Sequence, residues 1–84
     1  MSEVARESAA RVFARLLAGE VRLYHEEDVI AGRRRRDLAE RLAGPIADAK
    51  KRYLERCSGL DPDARHLADA LQAALDPAGA QLLS

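Results

Sequence analysis

The 84-residue sequence predicts an all-α protein, and three features carry that prediction. Ala and Leu dominate the apolar residues, with 17 and 12 copies, and both are strong helix formers. The β-branched and aromatic residues that favour strands are scarce: Val and Ile together number six, and Thr, Asn and Trp are absent. No Asn-Gly or Asp-Gly pair is present to close a hairpin. The predicted architecture is one helical domain over residues 1–84. It comprises a long amphipathic helix over 2–43, a kink near Gly44-Pro45, a helix over 45–57, a C-terminal helix over 61–76 and a tail over 77–84.

The first helix is predicted to be capped by Ser2, with Glu3 in the first turn where the helix dipole favours an anion. At 100° per residue, Ala5, Ala9, Val12, Phe13, Leu16, Leu17, Leu23, Tyr24, Ile30 and Ala31 group as one apolar face. Arg6, Arg11, Arg15, Arg22 and Glu26 lie off its centre. Gly19 interrupts the face and either lets a second helix approach closely or is a tolerated defect. An isolated glycine costs a helix only about 1 kcal/mol relative to Ala. Gly32 is therefore expected to lie inside the helix, and Leu38, Leu42, Ile46, Ala49, Tyr53 and Cys57 carry the apolar spacing onward. Gly44-Pro45 removes a backbone donor and crowds the preceding turn, which predicts the kink. In Ser58-Gly59-Leu60-Asp61-Pro62, Gly59 is expected to end one helix, Asp61 to cap the next and Pro62 to open it. Ala64, Leu67, Ala68, Leu71, Ala74 and Leu75 then share a face, and Asp76-Pro77-Ala78-Gly79 ends the last helix.

Charge divides the chain into an acidic start, a basic middle and an acidic end, although the 14 Lys+Arg and 14 Asp+Glu cancel overall. That balance argues against a protein built mainly to hold nucleic acid through phosphate contacts. The basic middle includes Arg33, Arg34, Arg35 and Arg36, a candidate site for an anion, nucleic acid or acidic partner. On one helix four consecutive arginines point all round it. Tyr53 is the only aromatic residue in that block available for base stacking.

No chemistry-bearing motif is legible. The chain has no Gly-rich phosphate loop, cysteine cluster or nucleophile elbow, so a non-enzymatic protein without cofactors is expected. His25 with Asp28 offers two metal ligands at helical spacing, but Arg22 stands where a Glu-x-x-His motif needs its glutamate. A metal-binding helical protein is the third alternative. His25 and His66 are expected to be solvated, and Cys57 to pack as a small hydrophobe rather than react near Arg52 and Arg56. One cysteine and the absence of a long apolar run suggest a reducing cytoplasm and no membrane contact.

The leading expectation is a dimerisation or scaffold module that contacts a twin or another protein. A helix of about 40 residues would reach about 60 Å, more than the rest of so short a chain can cover. Val12, Phe13, Leu16, Leu17, Leu23, Tyr24, Leu38 and Leu42 are the predicted contact residues. Glu20 and Glu27 interrupt the apolar face, and pairing with Arg34, Arg35, Arg41 or Arg56 of a neighbouring or symmetry-related helix would let them set the register. On this view Leu16→Glu or Phe13→Glu would unfold the chain.

Two stretches, RLLAGEVRLYHEEDV and then GRRRRDLAERL with KKRYLERC, resemble a helical segment of bacterial proteins of unassigned role. In that segment LLVSEIKLYNEE is followed by GR, DL and a second helical stretch. The resemblance covers residues 12–57. It implies a long helix crossing Gly32 and a bacterial cytoplasmic origin, and it transfers no active site. Gly44-Pro45 departs from the pattern.

Overall fold

The computed structural model describes residues 3–82. Among them the chain is all-α: α1 (Glu3–Tyr24), α2 (Glu26–Arg35), α3 (Leu38–Arg41), α4 (Ala43–Cys57) and α5 (Arg65–Leu75). The predicted Ser2 cap lies outside the described residues.

Ala10, Ala14 and Ala18 are four residues apart on α1 and buried, with Leu17 and Val21 beside them. Small side chains at this spacing make a low ridge onto which a neighbouring helix can close. The most extensive neighbour of α1 is α5, followed by α4. From α5 come Leu67, Leu71 and Leu75, and from α4 come Ala49, Tyr53 and Cys57, all buried. Val29, Leu38, Leu42 and Ala64 complete the core, and Leu82 packs on its edge. The chain thus builds a core from its own segments.

The predicted 2–43 helix is not a single rod. Its first irregularity is small: His25 has φ −125° and ψ 31°. His25 lies between α1 and α2 and bonds to both, its N–H donating to Val21 O at 3.0 Å and its O accepting the Val29 N–H at 2.9 Å. The real corner is at Arg36, which is left-handed (φ 59°, ψ 38°) and donates its N–H to Gly32 O. Asp37 N–H reaches the same carbonyl at 3.2 Å. A side chain at positive φ costs roughly 1–2 kcal/mol. The turn offsets that cost by folding Leu38 and Leu42 back, where each is 0% exposed.

Gly32 lies inside α2, as the propensity argument expects, and close packing requires a glycine there. A Cβ on Gly32 would fall 2.9 Å from both Cα and Cδ1 of Leu38. The expected kink at Gly44-Pro45 is displaced upstream. Leu42 separates α3 from α4, and Gly44 and Pro45 sit in the first turn of α4. A missing N–H is harmless there, since first-turn donors have no intrahelical acceptor.

The last helix starts at Arg65, four residues later than predicted, yet Asp61 still caps it. Arg65 N–H donates to Asp61 Oδ1 at 3.0 Å and His66 N–H to Oδ2 at 2.9 Å. Left-handed Ala64 (φ 53°) lets the chain step from the Pro62-Asp63 turn into the helix, so Asp61 caps from four residues upstream of Arg65. After α5 the chain does not trail away. Gln81 and Leu82 N–H groups donate to Asp76 Oδ2 at 2.7 and 2.9 Å. Gln81 Oε1 then accepts the Leu38 N–H at 2.9 Å, docking this segment on the α2–α3 corner. Leu83 lies outside the described residues.

Candidate association face and basic corner

The predicted contact residues separate into two sets. Leu17, Leu38 and Leu42 belong to the chain's own core and are 1%, 0% and 0% exposed, so they are withdrawn from any interface. Phe13 is partly buried: its ring stacks on Tyr53 at 6.2 Å between centroids, and the Arg56 guanidinium lies 4.9 Å over its face. Val12, Leu16, Leu23 and Tyr24 are exposed, each by more than half.

The division has a simple geometric cause. Residues 10, 14, 17, 18 and 21 centre on one side of α1, and residues 5, 9, 12, 16, 19 and 23 centre about 160° away at 100° per residue. The helix is therefore apolar on two opposed sides, which a single broad stripe had merged. The inner side meets α5 and α4. The outer side, formed by Ala5, Ala9, Val12, Leu16, Gly19 and Leu23, faces solvent. A Cβ added at Gly19 would meet nothing within 4 Å. Tyr24 lies off this seam and instead lines a depression with Glu20, His25, Pro45 and Arg52.

The two glutamates also differ. Glu20 borders the seam on the α4 side and accepts a 3.0 Å hydrogen bond from Arg52 Nη1. That pairing with a neighbouring helix involves Arg52 rather than Arg34, Arg35, Arg41 or Arg56. Glu27 is exposed and enters none of the ion pairs among the described residues.

At the basic corner, Arg33 is committed to the fold. Its Nε donates to Leu75 O at 2.8 Å and its Nη2 to Ala74 O at 3.3 Å, satisfying carbonyls at the end of α5. A cation at a helix C-terminus is also favoured by the dipole. Arg34, Arg35 and Arg36 are exposed and point away from the core. Arg41 closes the corner with a two-pronged pair to Asp37 at 3.1 and 3.0 Å. The Arg41 hydrogen bond holds the Asp37 carboxyl below its ordinary pKa, against a smaller opposing effect of burial.

Elsewhere the candidate reactive groups are in structural settings. Cys57 is buried, and burial pushes its thiol pKa up despite neighbouring Arg56, which disfavours the nucleophilic thiolate. His66 Nε2 approaches Glu7 Oε1 at 3.6 Å beside the Glu7–Arg11 pair on the surface. Among the described residues no three His, Cys, Asp or Glu side chains come together as a metal site would need, so His25 and Asp28 have no third partner. None of the described helices is long and apolar enough to cross a membrane.

The feature that sequence patterning missed is the buried Tyr53–Asp61 pair. Tyr53 Oη donates to Asp61 Oδ2 at 2.8 Å, and Asp61 is only 7% exposed. Burial pushes the Asp61 carboxyl up, but the His66 and Arg65 N–H groups and the Tyr53 hydroxyl outweigh it and hold the pKa low. Burial, with the Asp61 carboxylate beside it, raises the Tyr53 hydroxyl far above its ordinary range. The pair joins the end of α4 to the start of α5.

Comparison with protein-family models, curated proteins and solved structures finds no match to this chain. Its geometry and charge therefore carry the functional reading.

Proposed function

We propose that this protein is a non-enzymatic, cytoplasmic helical module that acts by self-association, as a homodimer that holds two copies of the chain together. The observation that carries the proposal is the solvent-facing seam on α1, where Val12, Leu16 and Leu23 are 60%, 57% and 69% exposed. Large apolar side chains gathered along one side of a helix mark association sites more often than scattered ones do. A chain of this size also gains proportionally more from burying surface on a partner. The basic corner supports an anion-binding reading less well, because Arg33 is spent on the α5 terminus and the depression that Arg36 lines is shared with the acidic Asp37 and Glu40.

Sedimentation equilibrium over roughly 1–100 μM, the range in which small interfaces assemble, is the test. The intact protein is expected to approach twice its 9.2 kDa chain mass. Leu16→Glu/Leu23→Glu is expected to sediment as a single chain with unchanged helical circular dichroism, since both side chains lie outside the core. This replaces the expectation that Leu16→Glu unfolds the chain. Phe13→Glu, by contrast, would place a carboxylate against Tyr53. A wild-type protein that stays monomeric across the whole range would overturn the proposal.

A further inference from the structure

The outward seam has heptad order, with alternating steps of four and three residues from Ala5 through Ala9, Val12, Leu16 and Gly19 to Leu23. In coiled-coil terms Ala9, Leu16 and Leu23 take position a, and Ala5, Val12 and Gly19 take position d. The core residues Ala10, Ala14, Leu17, Ala18 and Val21 then occupy b, c and f, so the bundle sits behind the seam and leaves its front open. Position g holds Ser8, Arg15 and Arg22, and position e holds Arg6, Phe13, Glu20 and, continuing the order past the end of α1, Glu27. From Arg15 onward the two shoulders carry opposite charge.

Resting on the self-association reading above, we infer that α1 pairs side by side with a second copy, parallel and in register. Arg15 would meet the partner's Glu20, and Arg22 the partner's Glu27. In a parallel pair each g residue faces the e residue five positions further along the partner. The two charged contacts of this kind each join a cation to an anion, Ser8 facing the partner's Phe13 being uncharged, and symmetry doubles them to four. In an antiparallel pair g faces g and e faces e, which would set arginine against arginine and glutamate against glutamate. Charge therefore selects the orientation.

Three structural details fit this arrangement. Arg15, Arg22 and Glu27 form no ion pair within the chain among the described residues, so they are available to a partner. Glu20 is already steadied by Arg52 at 3.0 Å while its side chain stays 32% exposed, leaving room for a second cation. Ala5, Ala9 and Gly19 keep the seam low, allowing the two helices to approach. Beyond Leu23 the next d position is Glu26, which ends the apolar contact.

Two measurements test the inference. The first is the dimer dissociation constant at low salt for wild type, Arg22→Glu, Glu27→Arg and the double exchange. Each single reversal turns two symmetry-related attractions into repulsions and is expected to weaken the dimer by roughly tenfold. The double exchange is expected to return to within about twofold of wild type, because both contacts become attractive again. Arg22 and Glu27 form no ion pair with each other within the chain, so recovery in the double exchange reports a contact between chains. A double exchange as weak as the single variants overturns the pairing.

The second measurement is the distance between nitroxides on Val4→Cys in a Cys57→Ala background, read by pulsed electron paramagnetic resonance. Parallel helices about 10 Å apart hold the two labels within roughly 25 Å. Antiparallel helices place them about a helix length apart, roughly 30 Å or more. A dimer with the long distance overturns the parallel inference and leaves self-association standing. A wild-type monomer overturns both.

Discussion

Asp61 concentrates several jobs in one side chain. Its two oxygens accept the Tyr53 hydroxyl and the first two N–H groups of α5. Asp61→Ala strips a helix cap and leaves a buried hydroxyl unsatisfied, together costing about 2–4 kcal/mol in chemical denaturation. Tyr53→Phe removes only the hydroxyl and is expected to cost about 1 kcal/mol. Acid should act through the same groups. Asp61 and Asp76 both have carboxyl pKa values held below the ordinary range, Asp76 by the N–H groups of Leu82 and Gln81. A depressed folded pKa gives stability that is full above the unfolded value, about 4, and is lost as pH falls through the folded one. The melting temperature should thus be level between about pH 7 and pH 5 and fall below about pH 4. In Asp61→Asn that acid-induced fall should be shallower, starting from a lower plateau. A melting temperature already falling between pH 7 and pH 5 would contradict this account.

Glycines show how the elements differ. Gly32 and Gly44 both sit in helices, where Ala is intrinsically better by about 1 kcal/mol. Gly44 faces open space, so Gly44→Ala is expected to raise stability by up to about that amount. At Gly32 the added carbon would collide with the Leu38 backbone at 2.9 Å, and Gly32→Ala is expected to lower stability by about 1–3 kcal/mol. Opposite signs in urea unfolding check the pair. Much at this scale was legible in the sequence: the helical class, the passage of the helix through Gly32, Asp61 as a cap, and the apolar spacing of Leu67, Leu71 and Leu75. The corner at Arg36 was not. No glycine, proline or asparagine marks it, and its left-handed residue is an arginine held by the need to bury Leu38 and Leu42. The two faces of α1 were written in the spacing but read as one. Ala10, Ala14 and Ala18 are too small to stand out as a core stripe, whereas exposed Leu16 and Leu23 are large.

For the whole molecule, the proposed self-association would tie stability to concentration. If folded dimer unfolds to two chains, each tenfold rise in protein above the dissociation constant should lift the melting temperature by about 4 °C. Leu16→Glu/Leu23→Glu should show no such dependence in calorimetry. The candidate face was only half legible from sequence for a long-range reason: which leucines stay outside depends on where α4 and α5 come to rest. The docking of residues 76–82 has its own consequence. Through Gln81, the segment after the last helix holds the N–H of Leu38, and Asp76 holds Gln81 in turn. A protease specific for arginine would therefore meet its run of targets at 33–36 beside a latch made by the C-terminal segment, which itself carries no arginine. Loosening that latch with Gln81→Ala should make the arginine corner easier to cut, so the rate of cleavage there would report how firmly the segment is docked.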